Sequence, residues 1–245
     1  MQKIVIVRHG ERLDNVDPLF YKKNNQKHLK LNPPLTQEGI LMAEQTGESL
    51  VEQLKETPIK AIYCSPYLRC LQTAKPLSEL TGLPIKIENG LLEWGLDPWT
   101  GPNDFQFLSG KELDTEIERR YKWKTNNNSE KARLIFDDDY EMCFKKVYYN
   151  EDYPKLYRRM RAFWDAFQDK EINKSQVLQE KGAIVLVSHY GSAECLYENM
   201  KGKPEESVYS GIQDIPYCGV AVFQRESENT KWKKVHKFKK LWNLD

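Results

Sequence analysis

The 245 residues contain no apolar run near the roughly 20 that span a bilayer, nor the charged start and short apolar core of a secretory signal. A cytoplasmic protein without a membrane partner is the expectation. Cysteine is sparse: Cys64, Cys70, Cys143, Cys195 and Cys218 are odd in number, scattered and without a CxxC pair. That spacing excludes a disulfide framework and a zinc ribbon, and reduced thiols fit it best. An excess of one charge is also missing, since 37 Lys and Arg stand against 36 Asp and Glu. The chain as a whole therefore advertises no nucleic-acid partner, and any anion it binds must be held by a local cluster. Histidine is scarce too, and His9, His28, His189 and His236 have no metal-ligand spacing. No G-x-x-x-x-G-K-[ST] loop implies a nucleotide. Neither metal nor cofactor is expected.

What is present reads as one globular domain over residues 1–245, with 40% hydrophobic and 30% charged residues and enough length for a substantial core. Short apolar runs at Ile4–Val7, Ala61–Tyr63 and Ala183–Val187 end in polar residues, the pattern of strands buried on both faces. Segments between them carry helical periodicity. A helix starting near Thr36 places Ile40, Ala43, Gly47, Leu50 and Leu54 on one face, and another aligns Tyr153, Leu156, Tyr157, Met160, Phe163, Trp164 and Phe167. Two strands are expected at Tyr217–Phe223 and Trp232–Phe238, joined around Glu226–Thr230, and a further one at Pro84–Ile87. This alternation predicts an α/β fold, a three-layer α/β/α sandwich with a largely parallel central sheet. Residues 95–150 break the period with Asn126–Asn128 and Asp137–Asp139 and read as a cap insertion at the sheet edge. Its Trp99, Phe105, Phe107, Tyr121 and Trp123 could line a pocket or form a small core of their own.

Ligands of parallel α/β sheets bind beyond the carboxyl ends of the strands. Arg8 and His9 follow the first apolar run, with Arg12 close behind, and His189 follows another in VLVSHYG. After the third comes CSPYLRCLQTA, where Ser65 suits an N-cap, Pro66 the first helical position, and Arg69 lies a turn in with Thr73 on its face. An arginine opposes the helix dipole there unless an anion is held beside it. Three guanidiniums and two neutral imidazoles describe a pocket for a phosphoryl group. Without a metal to make hydroxide, His9 is the economical nucleophile, kept unprotonated by surrounding positive charge. Glu93, in NGLLEWGLDPW, is the candidate acid for the leaving oxygen. Trp94, Trp99 and bound phosphate would raise its pKa, while the arginines lower it.

RHGER at 8–12, SPYLRCLQTA at 65–74, LLEW at 91–94 and the SH of VSHYG at 188–189 together resemble the histidine phosphatase superfamily, phosphoglycerate mutase-like branch. The likeness is greatest to the phosphatase domains of the Sts proteins and to ecdysteroid-phosphate phosphatases, through RHGERLD, PLTQEG, YCSPYLRCLQTA, GLLEW and IPYCGV. The resemblance implies His9 as nucleophile, Arg8, Arg12, Arg69 and His189 as phosphate ligands, and Glu93 as proton donor. It implies hydrolysis of phosphotyrosine or of a small phosphorylated molecule, without metal or cofactor, and a possible homodimer. Tyr190 and Gly191 depart from the small residues expected after the second histidine. Alternatives are a mutase or sugar-bisphosphate phosphatase, against which Arg12 counts, and a catalytically silent binding module.

Overall fold

Residues Ile4 to Val7 alternate between two hydrophobic clusters, Ile4 and Ile6 on one side and Val5 and Val7 on the other, as a strand covered on both faces must. In the computed structural model, which describes residues 1–23, 32–94, 110–121, 134–146, 148–174, 181–206 and 214–244, this strand is β1 (Gln2–Arg8). With β2 (Ile59–Cys64), β3 (Ile85–Ile87), β4 (Gly182–Ser188), β5 (Val220–Arg225) and β6 (Lys233–Lys239) it forms a sheet of order β3-β2-β4-β1-β5-β6. Strands β1 to β4 run parallel, while β5 and β6 are antiparallel additions at one edge.

Two short helices, α1 (Leu13–Val16) and α2 (Phe20–Lys23), follow β1. Helix α3 (Gln37–Gln53) is capped by Thr36, whose hydroxyl oxygen accepts from the Gly39 amide, as its sequence predicts. Its buried face is Gly39, Met42, Ala43, Thr46, Gly47 and Leu50, which leaves Ile40 half-buried. Helix α4 (Leu68–Thr81) joins α3 on the Val5 and Val7 side. Helices α6 (Tyr153–Phe167) and α7 (Tyr190–Met200) cover the other side, where Leu156, Met160, Phe163 and Phe167 are fully buried. Each such side chain contributes about 1.5–3 kcal/mol relative to exposure. The three-layer α/β/α expectation holds.

The insertion contributes α5 (Gly110–Tyr121), whose Leu113 and Ile117 reach the α3–α4 cluster. Its return segment bridges Phe136 to Ile85, extending the sheet past β3 just before the Asp137–Asp139 run. Trp99, Phe105, Phe107, Trp123 and Asn126–Asn128 lie outside the described residues, as does the Tyr121 side chain.

Two expectations are corrected. Helix α4 starts at Leu68 after an N-cap at Tyr67 with no side-chain bond, so Ser65 is not its cap. Strand β5 starts at Val220, because Cys218 adopts a left-handed φ of 49° that a strand excludes.

Candidate active site

Register builds the site. Arg8 pairs with Ser188 across β1 and β4, Cys64 pairs with Val187 across β2 and β4, and the Ser65 amide donates to the Val187 carbonyl. The three parallel strands therefore end at one level and deliver Arg8–His9, Ser188–His189 and Ser65 side by side. The His9 and His189 rings stand 5.4 Å apart, edge to face, and both are buried.

Each imidazole is oriented by a different partner. His9 Nδ1 lies 2.7 Å from the Gly10 carbonyl oxygen, which can only accept. Nδ1 therefore carries the hydrogen, and Nε2 keeps the lone pair. The Gly10 amide donates to Thr73 Oγ1 at 3.0 Å, and that hydroxyl donates to the Arg69 carbonyl at 2.7 Å, tying the loop after β1 to α4. His189 Nε2 sits 2.8 Å from Ser65 Oγ and 3.5 Å from Cys70 Sγ, with the Tyr67 ring at right angles.

Burial, more than neighbouring charge, pushes the His9 imidazole well below its usual range, with Arg69 and then Arg8 adding to the effect. The expected lowering by positive charge is present, and burial adds a larger one. His189 shifts the same way, by burial first and then by Arg69 and His9.

Arg69, the second residue of α4, is 4% exposed, its guanidinium over the Tyr67 ring at 4.5 Å. Arg8 lies between Tyr217, at 4.2 Å, and Tyr190, at 5.1 Å, and donates to the Ile215 carbonyl. Among the described residues no acceptor meets the buried Nε of either arginine, an arrangement suited to an oxyanion. Arg12 pairs with a carboxylate two residues along the chain. Its Nε and Nη2 grip both oxygens of Asp14, at 2.9 and 2.5 Å.

Glu93 completes the arrangement. Its Oε2 is 3.9 Å from His189 Nδ1, and its Oε1 accepts from the Trp94 amide at 3.1 Å. Burial raises its pKa, and Arg69, the largest opposing influence, does not reverse that. Desolvation is thus the larger influence in that contest, although the carboxyl keeps 21% of its side-chain surface exposed. The same cause lowers the His9 pKa and raises that of Glu93, because removing water penalises the charged form of each.

Tyr190 forms part of the wall over Arg8, and Gly191 admits Trp94: a Cβ there would lie 2.8 Å from Trp94 Nε1. Sequence reasoning missed the roles of Ser65, Asp14 and Tyr217, although all three sit inside quoted motifs. His236, on β6, bonds the Lys237 carbonyl away from the site, and His28 lies outside the described residues. Among the described residues no three His, Cys, Asp or Glu side chains gather as metal ligands.

The profile of the histidine phosphatase superfamily (branch 1) matches residues 4–237. The chain belongs to that family. An ecdysteroid-phosphate phosphatase of Drosophila melanogaster is 26% identical over 256 residues, covering 91% of this chain and 30% of that protein. Human ubiquitin-associated and SH3 domain-containing protein B is 25% identical, covering 94% of this chain and 36% of that one. The chain thus spans about a third of the length of these relatives. The crystal structure of the ecdysone phosphate phosphatase from Bombyx mori in complex with tungstate superposes with a TM-score of 0.68 at 19% identity, covering 97% and 93% of the two chains. A mycobacterial glucosyl-3-phosphoglycerate phosphatase, solved with inorganic phosphate, gives 0.60 at 18%, covering 98% and 99%. At these identities the structural likeness concerns the fold, which this family member shares. Among the described residues no helix is long and apolar enough to cross a membrane.

Proposed function

We propose that residues 1–245 act as one phosphatase domain that hydrolyses phosphomonoesters through a phosphohistidine on His9. The observation that carries this is the pinned His9 Nδ1, which leaves the Nε2 lone pair free in a buried, cation-lined site shared with Glu93. Nε2 attacks phosphorus, the N–P bond forms as the ester P–O bond breaks, and Glu93 gives its proton to the leaving oxygen. Water then attacks the phosphohistidine, Glu93 takes a proton from it, and His9 and inorganic phosphate are released. Arg8, Arg12, Arg69 and His189 hold the equatorial oxygens while charge redistributes.

The substrate is phosphotyrosine or a small phosphorylated molecule, a reading supported by relatives named for ecdysteroid phosphates and by Tyr67, Tyr190, Tyr217 and Trp94 around the site. The five free thiols suit the cytoplasm.

Rapid-quench labelling with a phosphorylated substrate tests the mechanism. The expected result is an acid-labile phosphoenzyme that is absent from His9→Ala. Turnover without a labelled intermediate overturns it.

A further inference from the structure

Three successive backbone carbonyls lead into Glu93, and each is held by a side chain from another element. The Gly90 carbonyl accepts from Arg159 Nη1 at 2.9 Å and the Leu91 carbonyl from Ser188 Oγ at 2.8 Å. The Leu92 carbonyl accepts from Arg159 Nη2 at 2.9 Å and from Ser192 Oγ at 2.6 Å. Ser188 and Ser192 flank His189, so one set of bonds fixes the segment before Glu93 relative to that imidazole.

Arg159 is the conspicuous member. It is 5% exposed and shares the buried face of α6 with Leu156, Tyr157, Met160 and Phe163. Both oxygens of Glu151, itself 6% exposed, clasp its Nε at 2.9 and 3.0 Å. Burying such a pair costs desolvation that attraction seldom exceeds, so a hydrophobic residue of similar volume would serve stability as well. A hydrophobic residue cannot supply two donors in a rigid fork aimed at two carbonyls of one loop. The loop is also pressed onto α6, since a Cβ on Gly90 would lie 2.1 Å from the Phe163 ring.

We infer that Arg159, held by Glu151, is a positioning residue for proton transfer: it fixes Gly90–Leu92 so that the Glu93 carboxyl meets the leaving oxygen. This rests on Glu93 being the proton donor, and the experiment separates the two ideas. Steady-state kinetics on ethyl phosphate, which needs a proton on departure, and 4-nitrophenyl phosphate, which does not, compare wild type, Arg159→Met, Glu93→Gln and the double variant.

Arg159→Met should lower kcat/KM, which reports only the steps through departure of the leaving group, about 30–100-fold on ethyl phosphate, the scale of a misplaced catalytic group, and less than about fivefold on the nitrophenyl ester. In the Glu93→Gln background it should cause no further selective loss on ethyl phosphate. Equal losses on both esters, or the same added loss in both backgrounds, make Arg159 merely structural and overturn the inference alone. Equal losses for Glu93→Gln itself overturn the donor assignment and this inference with it. Should Arg159→Met fail to fold, Ser192→Ala removes one bond to the Leu92 carbonyl, and its effect should show the same bias toward ethyl phosphate. An unbiased effect overturns the inference.

Discussion

The Ser65 hydroxyl meets Nε2 of His189 at 2.8 Å, so the imidazole nearest Glu93 is oriented from the end of the neighbouring strand. Ser65→Ala removes that contact and keeps the backbone amide that bonds the Val187 carbonyl. The expected outcome is a 5–10-fold fall in kcat/KM for 4-nitrophenyl phosphate, equivalent to the loss of about 1 kcal/mol of hydrogen bonding. Steady-state kinetics beside a thermal melt would check it, and unchanged kcat/KM would remove Ser65 from the site.

Burial of His9 and His189 has a consequence for stability. Both have pKa values lowered in the fold, so below their ordinary value of 6.5 the unfolded chain binds protons that the native protein does not. Their contribution is therefore complete above 6.5 and declines as pH falls, by up to about 1.4 kcal/mol per pH unit for each imidazole. Urea titrations at several pH values should show a shallower acid-side slope for His9→Gln than for wild type. An unchanged slope would mean that His9 is protonated in the folded state.

The rate should depend on pH from both sides. His9 must be neutral, so activity is lost as pH falls through its lowered pKa. Glu93 must be protonated, so activity on alkyl phosphates is lost as pH rises through its raised pKa. Glu93→Gln should keep the acidic limb on 4-nitrophenyl phosphate and lose the alkaline limb on ethyl phosphate. A retained alkaline limb assigns that titration to another group.

Gly191→Ala forces a Cβ to within 2.8 Å of Trp94 Nε1 and 3.1 Å of Leu156 Cδ2. Overpacking of this kind costs about 1–3 kcal/mol, which lowers Tm by several degrees. Activity should fall too, because the displaced Trp94 carries the amide that bonds Glu93. Adding Trp94→Ala should recover part of the stability, as a shared clash is non-additive. Additive melting losses would place the strain elsewhere.

The residues of the candidate site could be picked out because they sit at predictable points of a repeating pattern. Ile4–Val7 and Ala183–Val187 are apolar on every residue, which marks strands covered on both faces, and their polar ends mark the ligand side of the sheet. Ser65 was misread because serine before proline is a good local cap signal, while its actual partner, His189, is 124 positions away. Arg159 did leave a trace: it falls three residues after Leu156 and four before Phe163, a charge on an otherwise apolar face. Periodicity shows that such a charge is buried, not what it bonds. The insertion was the least readable part, since only a bridge from Phe136 to Ile85 reveals that it extends the sheet.

Local chemistry written along the chain was enough to settle the class of fold, the strand ends and the set of groups available to meet an oxyanion. Whether those groups act depended on packing. Strand register brought His9, Ser65 and His189 to one level, and water excluded by the layers around them lowers the His9 pKa and raises that of Glu93. Desolvation comes from everything that surrounds a group, most of it distant in sequence, so neighbours such as Trp94 could suggest the shift but not weigh it against the arginines.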